Sequence, residues 1–242
     1  MTKRNLTEQE RNYDDSRFEL IGESPKEFIA NSPSVFATRV GVQSLITRYE
    51  LYKMVLDVPG DIIECGVYQG NSFMWLANLS VILEPFSINR RLIGFDTFEG
   101  FASIDEVADP RDVSARDFSD TNFEIISKSI ENLDSVRPVN RISRFELVKG
   151  DILTSLPKYL ADHPWMTCAM LILDTDLYRP TLAALEAVFP IMPKGAVIVF
   201  DEFNYQNFPG ESQAIREFFD LKDLRIRKFA YESCCAYTVV GS

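Results

Sequence analysis

The sequence contains few residues of the kinds that build metal–thiolate and disulfide sites. Its 242 residues include one histidine, His163, and four cysteines, and no two cysteines form a CxxC pair. A zinc site with Cys and His ligands is therefore not expected. His163 lies in a loop after a short predicted helix, which favours a surface position over a catalytic one. Because Cys65 and Cys168 lie inside apolar runs, we expect them to be buried thiols. Nothing in the cysteine pattern suggests a disulfide scaffold, so we expect a protein of the reducing cytoplasm.

Lysine and arginine are also in the minority, with 25 residues against 36 aspartates and glutamates, which gives a net charge of −11. Nucleic acids and anionic membranes both require clustered positive charge, so neither is an expected partner. The N-terminal segment has no apolar stretch of the type found in secretion signals, and no run reaches the roughly 18 apolar residues of a membrane span. Most of the acidic residues are expected to serve only as a solvated surface.

Strand-like and helix-like segments alternate along most of the chain. The predicted strands are 61–65, 91–95, 144–149, 169–173, 196–200, 224–231 and 236–240. The predicted helices are 36–56, 71–83, 120–133, 154–160, 179–189 and 211–220. This alternation predicts an α/β fold with a doubly wound, mostly parallel sheet. Residues 1–56 are interpreted as an arm and a cap helix, and residues 57–242 as a single compact domain.

In such sheets, ligands bind at the carboxyl ends of the strands. The first strand is followed by the segment 64–72, ECGVYQGNS, whose glycines permit a tight turn close to a ligand. This segment is not GxGxxG, so the dinucleotide fingerprint is absent from the sequence. Asp96 follows the second strand, where a carboxylate can accept hydrogen bonds from ribose hydroxyls. Asp151 follows the third strand.

Acidic residues also follow the fourth and fifth strands. Asp174 and Asp176 come after one apolar run, and Asp201 and Glu202 come after the next. Carboxylates at adjacent strand ends repel one another and are costly to desolvate. A hard divalent cation such as Mg²⁺ would resolve that conflict, since it prefers oxygen ligands. The alternative is that one acid caps a helix while the others face water.

Four motifs, in order, resemble the macrocin/mycinamicin (TylF/MycF-type) sugar O-methyltransferase family. They are residues 63–70 (IECGVYQG), 95–100 (FDTFEG), 173–181 (LDTDLYRPT) and 195–203 (GAVIVFDEF). The resemblance extends over roughly residues 40–240. It implies the Rossmann-like fold of class I methyltransferases, with a mostly parallel seven-stranded sheet and an N-terminal helical cap.

The resemblance also implies that the chain transfers a methyl group from S-adenosylmethionine to a hydroxyl of a small molecule, a (deoxy)sugar or a glycosylated natural product. The implied cofactor-binding residues are Glu64, Gly66, Val67, Tyr68, Gly70, Ser72, Asp96, Asp151 and Asp174. The implied ligands of Mg²⁺, or of a similar divalent cation, are Asp174, Asp201 and Glu202. Asp174 and Glu99 are the candidates for the base that accepts the hydroxyl proton. A homo-oligomer is expected as well.

The chain departs from the family pattern at several positions. Phe101-Ala102 replaces Leu-Pro, Asn71 replaces a small residue, and Glu202 stands where a second Asp is usual. The acidic segment 102–117 contains few apolar residues, and we expect it to be an acceptor-binding lid or a mobile loop. These departures bear on the identity of the acceptor more than on the reaction.

Other functions remain open at this point. A catechol or phenol O-methyltransferase is the nearest, although such enzymes usually carry a lysine shortly after the fourth-strand Asp, where this chain has residues 177–179, LYR. An NAD-dependent oxidoreductase would need the missing fingerprint and a proton-relay histidine. A non-catalytic cofactor-binding scaffold would not need the acids at both strand ends. A hydroxylase-like or C-methylating relative could share the same fold.

Overall fold

The computed structural model describes residues 7–242, which form two compact units, residues 7–44 and residues 45–242. This division falls within a helix, whereas the sequence places the domain boundary at residue 56, and that assignment stays a prediction. Residues 1–6 of the predicted N-terminal arm lie outside the described residues.

The first unit is helical. Its elements are α1 (Glu8–Glu23), α2 (Lys26–Asn31), a 3₁₀ turn (Pro33–Val35) and the beginning of α3 (Arg39–Met54). A reciprocal cap starts α1, because the Thr7 hydroxyl accepts a hydrogen bond from the Glu10 amide and the Glu10 carboxylate accepts one from the Thr7 amide. Neither α1 nor α2, as far as the chain is described, contains a buried residue.

The second unit is built around a sheet that has six strands within residues 45–242. The strands are β1 (Asp61–Cys65), β2 (Leu92–Asp96), β3 (Phe145–Lys149), β4 (Cys168–Leu173), β5 (Val197–Phe200) and β6 (Ala236–Val239). Their order is β3-β2-β1-β4-β5-β6, and all pairs are parallel except β5 with β6. The predicted α/β fold with a mostly parallel sheet is therefore confirmed.

Helices lie between successive strands along the chain. They are α4 (Asn71–Leu83), α5 (Phe123–Val136), α6 (Ile152–Asp162), α7 (Tyr178–Val188) and α8 (Pro209–Phe218), with 3₁₀ turns at Phe189–Ile191 and Leu221–Asp223. Every residue of β1, β4 and β5 is buried, as the continuous apolar runs of a parallel sheet predict. Because β1 and β4 are central neighbours, the strand order reverses between them, and their carboxyl ends form the crevice where such sheets bind ligands.

The predicted seven-stranded sheet is wrong in its strand count. The segment 224–231, predicted as a strand, pairs with β6 only at Arg227, which exchanges two backbone hydrogen bonds with Tyr237. Three charged side chains of this segment, Arg225, Arg227 and Lys228, are exposed. Charged residues at a sheet edge commonly interrupt pairing, and here they leave an isolated bridge in place of a strand.

No helix in the described part of the chain is long and apolar enough to cross a membrane. The longest helices, α1 and α3, have 16 residues each. Cys65, Cys168 and Cys235 are buried free thiols, and Cys234 is half-buried and also free.

Candidate active site

The turn after β1 brings the chain very close to the loop after β4. Gly66 has a φ of +93°, and a Cβ atom at this position would collide with the carbonyl oxygen of Asp174. A hydrogen bond joins the two segments at the same place, because the Asp174 amide donates to the Cys65 carbonyl at 2.8 Å. Only glycine permits both this backbone conformation and this approach.

We expect Gly66→Ala to lower the free energy of unfolding by at least about 3 kcal/mol, because a positive φ and a backbone collision are combined at one residue. Urea unfolding would measure this change. Gly22→Ala in α1 is the matched control, since a Cβ there meets nothing within 4 Å, and it should change stability by less than about 1 kcal/mol. Equal stability of the two variants would contradict the packing described for Gly66.

A cavity lies at the carboxyl ends of β1, β2, β3 and β4. The predicted cofactor residues that line it are Gly66, Tyr68, Asp96, Asp151 and Asp174. The segment Gly100–Ser103 and Phe118 cover its other side. The remaining predicted cofactor residues, which are Glu64, Val67, Gly70 and Ser72, are not part of this lining in the described chain.

Asp96 organises the wall of the cavity. Its Oδ2 accepts hydrogen bonds from the Val67 and Tyr68 amides at 2.7 and 2.8 Å, and its Oδ1 accepts one from the Phe98 amide at 2.6 Å. An ionised carboxylate has about four acceptor positions, so at least one remains for a ligand hydroxyl. Asp151 has a comparable double role, because it caps α6 through the Leu153 amide at 3.0 Å and accepts a 2.7 Å bond from the Ser103 hydroxyl.

A buried arginine, which the sequence did not indicate, contacts the start of α4 and the acid that follows β5. Arg48 of α3 is 4% exposed, and its Nε donates to the Ser72 hydroxyl at 2.7 Å. Its Nη2 lies 3.1 Å from Asp201 Oδ1 and 4.0 Å from Asp174 Oδ2. Burial alone would lower the pKa of Arg48, but the surrounding acidic groups, with Asp201 foremost, raise it above its ordinary value. Arg48 is thus a permanent cation facing both acidic strand ends.

Glu64 is fully buried in β1. Among the described residues, neither of its carboxylate oxygens meets a donor with hydrogen-bond geometry, although Arg48 and the Ser72 hydroxyl both favour its charged form. Burial raises the pKa of Glu64 to about 7, and the nearby Asp201 and Asp96 add to the shift. Glu64 therefore changes its protonation near neutral pH.

This shift predicts a pH dependence of stability. The pKa of Glu64 is about 7 in the folded chain against an ordinary value of 4.5, so the folded state retains the proton to higher pH. The corresponding stabilisation is complete at low pH and is lost as the pH rises through 7, and it amounts to at most about 3 kcal/mol. We expect Glu64→Gln to lose less unfolding free energy than the parent between about pH 5 and pH 8. Urea unfolding at several pH values measures this, with the exposed Glu124→Gln as a control that keeps the parent's slope; a Glu64→Gln slope equal to the parent's would contradict the prediction.

The acids after β4 and β5 lie close together, as predicted. Burial, followed by the charges of Asp201 and Asp176, raises the pKa of Asp174 well above its usual range. Burial and Asp201 raise the pKa of Asp176 to about 7, and burial with Asp176 raises that of Glu202 to about 8. The raised pKa values indicate that these carboxylates have too few positively charged partners among their neighbours.

Glu211 of α8 is a further member of this cluster that sequence reasoning missed. Its side chain is fully buried, its Oε1 accepts a 3.0 Å hydrogen bond from the Glu202 amide, and its pKa is raised by burial and by Asp201. The only signal in the sequence was an acid in the first turn of a predicted helix, which commonly faces solvent.

No three His, Cys, Asp or Glu side chains of residues 7–242 are arranged as a ready metal cluster. The donor set nevertheless has the chemistry that a hard cation requires, because Asp174, Asp201 and Glu202 offer oxygen ligands. Glu202 Oε2 is buried without a hydrogen-bond partner in the described chain. The predicted metal ligands are thus neighbours, and Arg48 is the cation that two of them face.

Glu99 and His163 lie apart from this cluster. Glu99 is 73% exposed, and its ion pair with Lys149 at 2.8 Å lowers the pKa of the carboxyl. His163 follows α6, is stacked on Tyr159 and shares a 2.8 Å hydrogen bond with the Tyr159 carbonyl. As predicted, His163 belongs to the surface of the fold and not to the strand ends.

Comparison with known proteins identifies the family. The family model described as Macrocin-O-methyltransferase (TylF) matches residues 3–237. The chain belongs to this family. The resemblance seen in the four motifs is thereby confirmed, and the match to TylF extends over most of the chain, including the helices of the first unit.

Individual relatives of this TylF-family chain are described as methyltransferases. One, from Streptomyces olivaceus, is the 8-demethyl-8-(2,3-dimethoxy-alpha-L-rhamnosyl)-tetracenomycin-C 4'-O-methyltransferase, 28% identical over 71% of this chain and 64% of that protein, slightly under two thirds of its length. The crystal structure of the calicheamicin methyltransferase CalS11 is 31% identical, covers 98% of this chain and 95% of its own, and has a TM-score of 0.93. An apo structure of CalS11, described as a TDP-rhamnose 3'-O-methyltransferase, is 29% identical over 98% of this chain and 97% of its own, with a TM-score of 0.85.

Proposed function

We propose that the chain is an S-adenosylmethionine-dependent O-methyltransferase that acts on a hydroxyl of a sugar or of a glycosylated natural product. The observation that carries the proposal is TylF membership over residues 3–237, together with a strand-end cavity of the expected composition. The sugar is suggested by the relatives, since one is described as acting on a rhamnosyl tetracenomycin and another on TDP-rhamnose.

The residues that line the cavity support binding of S-adenosylmethionine. The Gly66 turn lets a ligand approach the backbone, Asp96 has a free acceptor position for the ribose hydroxyls, and Asp151 with Ile152 lies where the adenine would be held. Glu64 and Ser72 would support the methionine end from behind the turn. When bound, the cofactor supplies an electrophilic methyl group on a sulfonium.

We further propose that Asp174, Asp201 and Glu202 hold Mg²⁺ or a similar divalent cation. The raised pKa values of Asp174 and Glu202, and the unpartnered Glu202 Oε2, support an additional positive charge at this place. Such a cation would lower the pKa of a sugar hydroxyl and orient it.

Asp174 is the better of the two proposed bases. Burial and Asp201 raise its pKa, which makes its carboxylate a stronger base, whereas the ion pair with Lys149 lowers the pKa of Glu99 and makes that carboxylate a weaker base. Asp174 also lines the cofactor cavity. It could therefore accept the hydroxyl proton while the fold holds oxygen, methyl carbon and sulfur in line.

Calorimetric titration tests the cofactor. We expect S-adenosylmethionine to bind and NAD⁺ not to bind; the reverse pattern would overturn the assignment and favour the oxidoreductase. Methyl transfer assayed after removal of divalent cations by a chelator tests the metal separately. Full activity without any divalent cation would remove Mg²⁺ from the proposal and leave the methyltransferase in place.

The oligomeric state remains a prediction. A homo-oligomer is expected, and light scattering coupled to size exclusion would measure it; a mass equal to that of a single chain at all concentrations would contradict it.

A further inference from the structure

A second cavity of about 880 Å³ opens beside the acidic strand ends. We call it the α8 groove. It is bounded by the turn 105–108, the first residue of α7, the loop 204–206 and the exposed side of α8. Its volume falls within the roughly 300–1,000 Å³ that is typical of small-molecule sites.

The α8 groove and the cofactor cavity lie on either side of the same loop. Leu177 lines the cofactor cavity, and the next residue, Tyr178, lines the groove. On the neighbouring strand end, Asn204 of the groove follows Glu202 by two residues. An in-line displacement requires the acceptor oxygen to approach the methyl carbon from the side opposite to sulfur. The groove adjoins the cofactor cavity at this loop, so an acceptor held in the groove would lie next to the cofactor site.

The lining of the groove combines apolar surface with polar side chains and is nearly balanced in charge. It presents the phenols of Tyr178 and Tyr205 and the amides of Asn204 and Gln213. Such groups both donate and accept hydrogen bonds, and a tyrosine ring adds an apolar face. This combination suits a neutral sugar ring, which has hydroxyls at its edge and C–H groups on its faces.

The walls of the groove are held in place by Asp109, which is 5% exposed. Its Oδ1 accepts a 2.8 Å hydrogen bond from the Tyr178 amide, and its Oδ2 accepts a 2.7 Å bond from the Asp105 amide. Gln213 of α8 donates to the Ala108 carbonyl at 2.9 Å. Gly210 at the start of α8 leaves room for the Asp109 carboxylate, because a Cβ there would collide with Asp109 Oδ1. Part of the segment 102–117 is therefore anchored to both α7 and α8.

We propose that the α8 groove binds the sugar that is methylated. This inference rests on the proposed function and specifies its acceptor site. The recognised chemistry is a neutral hexose ring, which can be presented by a nucleotide-linked sugar or by a glycoside. Arg216 also lines the groove, and the described residues offer it no hydrogen-bond or ion-pair partner, so it is available for the phosphates of a nucleotide-linked sugar.

Binding measurements test the groove independently of methyl transfer. The probes are TDP-rhamnose and methyl α-L-rhamnoside, each titrated by NMR in the presence of S-adenosylhomocysteine. We expect Tyr178→Ala to weaken binding of whichever probe binds by at least about tenfold, because it removes the aromatic face. Arg216→Ala should weaken TDP-rhamnose by about fivefold or more and leave the rhamnoside unchanged. Arg225→Ala, which removes an exposed arginine outside the groove, is the control and should change neither.

The two probes distinguish a nucleotide-linked sugar from a glycoside as the acceptor. The outcomes also separate this inference from the proposed function. Binding of TDP-rhamnose alone, weakened by Arg216→Ala, supports a nucleotide-linked acceptor, and equal binding of both probes supports a glycoside. The affinity for S-adenosylhomocysteine should stay the same in all variants. Failure of both probes to bind, or binding that neither groove variant weakens, overturns the inference. Groove-dependent binding, with no methyl transfer once S-adenosylmethionine replaces S-adenosylhomocysteine, would instead refute the proposed function.

Discussion

Asp174→Asn should lower kcat for methyl transfer by about a thousandfold, within the range that a general base supplies. Asparagine keeps the size of the side chain but cannot accept the hydroxyl proton, and it weakens the negative charge that the proposed cation would bind. The carboxylate lies in the wall of the cofactor cavity, and its pKa is raised by burial and by Asp201. Initial rates with S-adenosylmethionine and an accepted sugar measure the effect.

Two comparisons make this result specific. Asp223→Asn changes an exposed acid of the Leu221–Asp223 turn and should retain the parent's rate. Calorimetry with S-adenosylmethionine should show that Asp174→Asn binds the cofactor within about tenfold of the parent, so that the loss falls on kcat. A variant that keeps more than about a tenth of the parent's rate would contradict the role of Asp174 as base.

Arg48→Met should lower the free energy of unfolding by about 3 kcal/mol. Removing one partner of a buried ion pair usually costs about 3–5 kcal/mol, because the remaining charges stay buried without compensation. The lower end is expected here, since the Asp201 side chain is 27% exposed and water screens part of the attraction. Urea unfolding measures the change.

The double variant Arg48→Met/Asp201→Asn tests the cause. Because it removes both charges of the closest pair, it should be less destabilised than the sum of the single variants by at least about 1 kcal/mol. Arg225→Met, at an exposed arginine, should have almost no effect. Strict additivity of the two single variants would show that Arg48 contributes through packing alone.

The sheet could be predicted from sequence because its central strands have a clear hydrophobic pattern. β4 and β5 are uninterrupted apolar runs between helices, a pattern that only a buried parallel strand explains well. Once the strands were placed, the residues after them followed, and Asp96, Asp151 and Asp174 do line one cavity. The edge of the sheet beside β6 was less predictable. The sequence pattern of 224–231 is that of a strand, but its exposed charged residues prevent continuous pairing with β6.

The electrostatic partners of the site could not be predicted in the same way. Arg48 lies 153 residues before Asp201 in the chain, on a helix whose pattern gives no reason to separate one arginine from its neighbours. Glu211 is fully buried although glutamates at the start of helices are usually exposed. Asp109 lies in an acidic loop that the sequence indicates as a lid, yet it is anchored to α7. Such contacts depend on tertiary packing, which no local spacing encodes.

The most direct test of the central claim is methyl transfer from S-adenosylmethionine that carries an isotopically labelled methyl group. The acceptors would be TDP-rhamnose and rhamnosylated natural products, with Mg²⁺ present, and the products would be analysed by mass spectrometry and NMR. The proposal predicts one labelled methyl group on a sugar oxygen and a loss of labelling with Asp174→Asn. Label on a carbon atom, or undiminished labelling by Asp174→Asn, would contradict it.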